Sequence, residues 1–512
     1  MKRRYVIAHD VGTSSNKAVL IDVDGNILES ATVEYGFQYP NPGWVEQSPA
    51  DYWQAIVDST KKVMAHSSIK ASEILGIVYT TQAMGIIPLG SDNNILMNNI
   101  TWVDGRAEKQ AKKLMNRFAG KAAFLSFVGI EITGKDVIPK LMWLKEERSD
   151  IFNRTEKVLD VNGYLKFKST GKIVAEWSGA CSYAFNLKKK DWERIFFKIA
   201  GVGTDKLPDL VRSIDIVGGL TKEAAREMEL DKGTPVYGGC DDTQSAAIGT
   251  GAIGEGQAHI YLGTSAWVGV TTKKALKFKH GAACLQSADP KMNLLVGITE
   301  SAGANLEWLI ERFYTCEKED LNIQDIYRVM DEEASSVKAG SDHLIFTPWL
   351  LGERCPVATT TTRGTIFNLS LEHTRGHFVR ALAEGIGYNL RWIIENYEKD
   401  YGFRISSLRI TGGGSQNDHW MQIFADVIQK KIETTNQPKM AGAIGAAMCV
   451  FVGSGIFKGF DDVNKIVRKH RVFNPDPSNF EIYNKLFVDY KNIYRSLKAT
   501  YINANNKRYN LN

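Results

Sequence analysis

The stretch AHDVGTSSNKAVLI at 8–21 returns as IYLGTSAWVGVTT at 260–272, each time as an apolar strand, a G-T-S turn and a second apolar strand. Gly12 and Gly263 stand 251 positions apart in a chain of 512 residues. Self-similarity at half the chain length points to two structurally similar halves. A chain this long needs more than one core in any case, because domains rarely exceed about 250 residues. An α/β chain of two lobes is therefore expected, 1–248 and 249–512, with a cleft between them. The glycines of GTGAIGEGQ, namely Gly249, Gly251, Gly254 and Gly256, stand at the junction and read as a hinge.

Several other classes drop out. Lys and Arg number 63 against 58 Asp and Glu, an excess too small to draw the chain to nucleic acid. The start, MKRRYVIAHD, offers few apolar residues before His9 and Asp10 and falls short of a secretory leader. AGAIGAAMCVFVGSGIF at 441–457 is uncharged. Its glycines and alanines suit a closely packed core helix better than the ~20 strongly apolar residues of a membrane span. Six scattered cysteines with no C-x-x-C pair fit reduced thiols rather than a zinc site or a disulfide framework. A cytoplasmic protein acting on a small molecule is expected, with no nucleic-acid and no membrane partner.

Glycine turns with hydroxyl neighbours suit one task. Without a β-carbon, glycine lets backbone N–H groups approach an anion, and Thr or Ser adds donors. One G-T-S turn from each half, backed by the G-G-G turn of RITGGGSQNDHW (409–420), can hold a polyphosphate from two sides. Asp10 is then the natural partner of a magnesium ion, which prefers carboxylate oxygen and keeps several waters. The chain has no G-x-x-x-x-G-K-[ST] pattern, so a nucleotide is not held by a P-loop.

A second acidic point lies in PVYGGCDDTQSAAIGTG (235–251). Asp242 or Thr243 suits the cap of the helix that follows. That leaves Asp241 to face the cleft and accept the proton of a hydroxyl attacking a phosphate. His9 lies next to Asp10, and strand alternation turns it away, into the core. Ser48, Pro49 and Asp51 mark a helix start with a capping-box-like pattern. ILGIVYTTQAMGIIPLG (74–90) reads as a buried strand ending near Thr80 to Gly85, where α/β proteins place ligand contacts.

In order along the chain, these motifs resemble the FGGY carbohydrate kinases, of the superfamily that also holds hexokinase, Hsp70 and actin. The resemblance is collinear from Tyr5 to about Gly455. DVGTSSNK resembles the first phosphate motif, YLGTSA the second, TGGGSQNDHWMQIFADV the adenosine motif, and GGCDD the segment with the catalytic aspartate; GWVEQSPADYW, TWVDGRA, PKLMWLKE, FTPWLLGERCP and RGTIFNLSLEHTRGHFVRALAEGIGYNL match as well. It implies an actin-like ATPase fold, with duplicated ribonuclease H-like domains around a central cleft, and phosphorylation of a sugar or polyol by ATP with Mg2+. Asp241 would be the general base and Asp10 the metal-associated carboxylate. Gly12, Thr13, Ser14, Lys17, Gly263 and Thr264 would contact phosphates, and Gly412, Gly413 and Asn417 would lie near the nucleotide. Gln82, Ala83, Met84, Asp104 and Asp242 would contact the sugar. A homodimer is expected on the same likeness.

Within the family the pattern is most similar to xylulokinase-like members, which makes D-xylulose the expected substrate. Gluconate, ribulose and glycerol are alternatives inside the family, and an actin- or Hsp70-like assembly protein is one outside it. Gln82, Ala83, Met84 and Gly85 replace the Q-M-H-G usual in xylulokinases. Val103 stands for Asn in W-N-D-G-R, Asp242 for the Asn after the base, and Asn368 where the second signature prefers glycine. Trp44, Trp102 and Trp267 are expected in the core rather than against sugar.

Overall fold

The computed structural model describes residues 4–118, 120, 123–124, 128 and 132–505; the first three residues of the basic start lie outside them. Two seven-stranded sheets organise the chain. The first holds β1 (Tyr5–Val11), β2 (Ser15–Asp22), β3 (Ile27–Glu34), β4 (Ile74–Thr81), β5 (Ile216–Gly219), β6 (Pro235–Tyr237) and β7 (Cys240–Asp241). Their order is β5-β6-β4-β1-β2-β3, with β7 also paired to β4. The second holds β8 (Ala258–Leu262), β9 (Ala266–Thr272), β10 (Ala283–Gln286), β11 (Asn293–Ile298), β12 (Ser407–Thr411), β13 (Lys431–Thr435) and β14 (Lys469–Phe473). Their order is β10-β11-β9-β8-β12-β13-β14.

The two sheets share one plan. β1-β2-β3 and β8-β9-β11 are antiparallel meanders. β4 joins β1, and β12 joins β8, in parallel; β6 and β13 continue in parallel, and antiparallel β5 and β14 follow. The repeated G-T-S turn is thus the visible part of a repeated sheet. Central β1 (YVIAHDV) is apolar along most of its length because both its faces are covered, whereas β3 (ILESATVE) alternates half-buried and exposed residues as an outer strand should.

Seven helices matter for the site: α1 (Pro49–His66), α2 (Val161–Thr170), α3 (Asp242–Gly249), α4 (Gly303–Phe313), α5 (Arg375–Tyr401), α6 (Asp418–Ile428) and α7 (Ala441–Gly453). α1 buries Trp53, Ile56, Val57 and Thr60 as their spacing requires. Ser48 is its N-cap and Pro49 its first residue. The Ser48 side chain makes no cap bond, however; the Asp51 N–H goes to the Ser48 carbonyl at 3.1 Å, so the capping box is not formed.

α7 is apolar all round and buried, and its Ala443, Ile444, Ala447 and Val450 pack with Val6, Ala8, Val19 and Val78 of the first sheet. Its small residues allow close approach to α3. A β-carbon on Gly445 would collide with the Ser245 carbonyl oxygen, and one on Gly249 with that of Ala441. Gly249, read as part of a hinge, is therefore clamped between two helix backbones. Asn368 adopts φ +65, a left-handed conformation that asparagine tolerates better than most residues, which explains how it replaces glycine there. Among the described residues, no helix is long and apolar enough to cross a membrane.

Candidate active site

β1, β4 and β7 run parallel, and their carboxyl ends bring two aspartates to one edge. Asp10 pairs with Thr80 on one side of β4, and Asp241 with Thr81 on the other, about 10 Å apart at two strand spacings. Alternation sends the two side chains to different faces. Asp10 points toward α7, where a β-carbon on Gly442 would come within 2.7 Å of its Oδ2; Asp241 points toward Gly179, whose β-carbon would lie 3.4 Å from its Oδ1.

Local chemistry leaves the carboxylate of Asp241, itself buried, without a hydrogen-bond donor among the described residues. Gly239 has φ +70, and a side chain there would strike the Tyr79 carbonyl oxygen, so only glycine turns the chain so tightly between β6 and β7. Asp241 is the N-cap residue of α3, yet its side chain makes no cap bond. Asp242 instead accepts the Thr243 N–H at 2.6 Å and the Thr243 hydroxyl at 3.1 Å. Burial raises the Asp241 carboxyl well above the usual carboxylate range, reinforced by Asp160, Asp242 and Glu176 and opposed by Lys166. Asp10 is pushed up to about 6 by burial and then by Asp242, against the pull of Lys17.

The first G-T-S turn is held from three sides. The Gly12 N–H bonds the Ser15 carbonyl at 2.9 Å. The Tyr35 hydroxyl donates to Gly12 O at 2.6 Å, Gln47 Nε2 to Thr13 O at 2.7 Å, and Trp102 Nε1 to Thr13 Oγ1 at 3.2 Å. Ser14 at the tip is exposed. Lys17 Nζ reaches the Lys439 carbonyl at 3.5 Å, which ties β2 to the turn before α7. The second turn repeats the closure, Gly263 N–H to Ser265 O at 2.9 Å, with Thr264 exposed. The start of α4 sits against it, since Gly303 N–H bonds Gly263 O at 3.0 Å and Ala304 N–H bonds Thr264 O at 3.0 Å. Gly412 (φ +93) and Gly414 lie directly against Leu262, so the G-G-G turn backs the second G-T-S turn; Gly413 is exposed with nothing within 4 Å of an added β-carbon.

Two residues expected near ligands are otherwise engaged. Asn417 caps α6 through its oxygen, 3.1 Å from the Trp420 N–H, and its amide nitrogen meets both oxygens of Asp331 at 2.8 and 2.7 Å. Asp104 is fully buried and accepts from Val45 N at 2.6 Å and from Arg106 N and Nε at 2.9 Å and Nη2 at 2.7 Å. Arg106 is also paired with Glu46 at 2.9 Å and stacked over Trp44 at 3.9 Å. Trp44 and Arg106 thus form a closed structural unit, as do Trp267 and Tyr261, which stack at 4.0 Å.

The strand-end segment after β4 is shaped from below. Met84 adopts φ +63, and buried Lys140 donates to Met84 O at 2.9 Å and Thr101 O at 2.7 Å. Burial lowers the Lys140 ammonium to about 7, with Asp104 and Asp136 opposing. Gln82 Nε2 bonds Gln47 Oε1 at 2.9 Å and the Tyr52 hydroxyl at 3.2 Å, while its Oε1 finds no protein donor. Ala83 and Met84 are half-buried beside it.

His9 faces α1, with Asn16 Nδ2 3.2 Å from Nδ1 and Thr60 Oγ1 3.3 Å from Nε2. Burial lowers its pKa from 6.5 to about 3. The unfolded chain therefore takes up a proton below pH 6.5 that the folded chain refuses until pH 3, so stability falls as pH drops through this window. Replacing His9 with Gln is expected to remove ~2 kcal/mol of the stability loss between pH 7 and pH 5, read from urea melts at both pH values. An unchanged difference would show that His9 is not held neutral.

Sequence reasoning missed Asp160, Lys166, Glu176 and Ser178, all buried behind Asp241. No local signal marks them: α2 is buried on nearly every side from Val161 to Lys166, and Lys166 lies off its apolar Val161–Tyr164–Leu165 stripe.

The chain matches the N-terminal domain of the FGGY family of carbohydrate kinases over residues 5–249 and the C-terminal domain over residues 258–454. It belongs to that family and is a carbohydrate kinase, which sets aside an actin- or Hsp70-like assembly protein. It is 30% identical to the xylulose kinase of Bacillus subtilis, over 97% of each chain. Its structure resembles that of a ligand-bound xylulose kinase from Lactobacillus acidophilus with a TM-score of 0.88 at 26% identity, covering 97% of this chain and 99% of the other. A gluconate kinase from the same organism gives 0.88 at 25% identity with the same coverage. The duplicated sheets are thus those of the two-domain actin-like ATPase fold.

Proposed function

We propose that the chain transfers the γ-phosphate of ATP, with Mg2+, to a hydroxyl of a neutral ketose, D-xylulose first. The observation that carries this reading is the pair of carboxylates at the ends of β1 and β7, neither bonded by a donor among the described residues, with a G-T-S turn available from each sheet. Asp241 accepts the proton of the attacking hydroxyl. Lys17 and the N–H groups of Thr13, Ser14 and Thr264 hold the phosphates, Gly12 and Gly263 spending their own N–H groups on closing the turns, with Gly412 and Gly413 beside the nucleotide. A magnesium ion fits Asp10, whose free oxygens are hard donors crowded by the Asp242 charge; once bound, it would neutralise charge on the polyphosphate. Lobes closing about the α3–α7 crossing would exclude water from the acceptor.

A neutral acceptor is favoured over a sugar acid by the state of the cations under the strand-end segment. Lys140 is engaged by two carbonyls, and Arg106 by Asp104 and Glu46, so neither is free to pair with a substrate carboxylate. The relatives include both xylulose and gluconate kinases, and a coupled ADP-release assay over D-xylulose, D-ribulose, D-gluconate and glycerol decides between them. D-xylulose is expected to give the highest kcat/KM; gluconate in first place would overturn the substrate assignment. Met84→His, which restores an imidazole where a thioether cannot hydrogen-bond a sugar, is expected to raise kcat/KM for D-xylulose relative to glycerol about tenfold. An unchanged ratio would show that this position does not set specificity.

A further inference from the structure

Behind Asp241 lies a buried set of ionisable side chains that phosphoryl transfer does not itself require. Asp160 caps α2, its Oδ1 accepting the Gly163 N–H at 2.5 Å. Its Oδ2 turns the other way, toward Gly179, where an added β-carbon would lie 2.5 Å from it and 3.4 Å from Asp241 Oδ1. The two carboxylates therefore crowd one glycine. Further along the same helix, Asn162 Nδ2 donates to Tyr79 O at 3.1 Å and Cys240 O at 3.3 Å, and Lys166 Nζ donates to Gly238 O at 3.2 Å. From the opposite side the Asp241 N–H donates to Ser178 Oγ at 3.0 Å, and the Ser178 hydroxyl and N–H both donate to Glu176. Asp160, Lys166 and Glu176 are 5%, 0% and 1% exposed, so none of them serves as a solvated surface charge.

We propose that Asp160, Lys166 and the Glu176–Ser178 pair are positioning residues for Asp241, holding its backbone through Ser178 and setting, through charges crowded behind its carboxylate, the strength with which it binds the substrate's hydroxyl proton. This rests on the reading of Asp241 as the base. An ordinary aspartate, with a pKa near 3.9, is too weak a base for a sugar hydroxyl, and like charges held close by in a low dielectric strengthen it. Asp160 and Glu176 supply those charges. Lys166 offsets part of them, so that the interior is not left with three unpaired carboxylates. The remaining groups facing Asp241 are Asp242 on α3 and the uncharged Cys181, Tyr183 and Cys240, whose thiols and phenol are raised by their surroundings.

A purely structural cluster would lower activity equally at every pH when disturbed. The test is the pH profile of kcat/KM for the sugar in the full-length protein, with KM for ATP measured alongside. Asp160→Asn keeps an oxygen for the Gly163 N–H but replaces the facing charge with an amide donor. It should move the acid limb about one pH unit lower and leave KM for ATP unchanged. Glu176→Gln should move it in the same direction, and Lys166→Met upward. If Lys166→Met does not fold, Asp160→Asn decides alone, its folding checked by a thermal melt. A limb that stays in place or moves upward in Asp160→Asn overturns the proposal. Asp241→Asn separates the two levels: near-normal turnover there removes the base itself, whereas a dead Asp241→Asn with an unmoved limb in Asp160→Asn removes only the positioning set.

Discussion

Asp241→Asn is expected to lower kcat by about 10²- to 10⁴-fold, the usual contribution of a positioned base, while nucleotide affinity stays within about twofold because no step of phosphate binding uses Asp241. The substitution is nearly isosteric and leaves the backbone bond from residue 241 to Ser178 Oγ in place. The amide can meet the substrate hydroxyl but cannot take its proton. Turnover follows from the coupled assay, and nucleotide affinity from ATP titration of the same variant by calorimetry. Wild-type turnover would remove Asp241 from the chemistry. Equal loss of turnover and ATP affinity would mean that the variant disturbs the cleft as a whole.

The second large effect concerns the helix crossing that holds the lobes together. Gly445→Ala places a methyl group against the Ser245 carbonyl oxygen in the middle of α3, where neither side of the contact is a flexible side chain. Overpacking of a core ordinarily costs about 1–3 kcal/mol; here two helix backbones must separate, so the upper end of that range is expected. α3 begins at Asp242, immediately after Asp241, and activity should fall together with stability. Gly36→Ala is the control: an added β-carbon there meets nothing within 4 Å, and stability should change by less than about 0.5 kcal/mol. Denaturant melts of the two variants check the pair. Equal stabilities would show that the α3–α7 contact is looser than the structure indicates.

Local features of the sequence carry most of the fold. The duplicated hairpins are legible because each turn lies within one short stretch, and because 251 residues separate one copy from the next. Six strands of each sheet repeat that pairing, while β7 in the first and β10 in the second have no counterpart. In one respect the copies are not equivalent: Tyr261 stands on β8 where Asp10 stands on β1, and its phenol is raised to about 12 by burial and then by Asp10 and Asp242. Only one half therefore brings a carboxylate to its turn.

The site is legible where a residue's neighbours in sequence are its neighbours in space, as in GGCDD. It is not legible where partners arrive from distant segments. Nothing near Asp104 in the sequence announces that the Val45 N–H will meet its carboxylate, nor does anything near Asn417 announce Asp331. Gly442 approaches Asp10 across more than 400 residues, and the Asp160–Lys166–Glu176 set meets Asp241 across more than 60. Such contacts follow from sheet order, which hydrophobic pattern does not encode.

The central claim is that phosphate leaves ATP for a sugar hydroxyl. ³¹P nuclear magnetic resonance of the protein with ATP, Mg2+ and D-xylulose follows it directly, with D-gluconate in a parallel sample. A phosphate monoester should appear with D-xylulose in step with the loss of the γ-phosphate signal, and be absent or much slower with D-gluconate. ADP and inorganic phosphate without a monoester would contradict it, and a monoester formed chiefly from D-gluconate would keep the transfer but overturn D-xylulose as the acceptor.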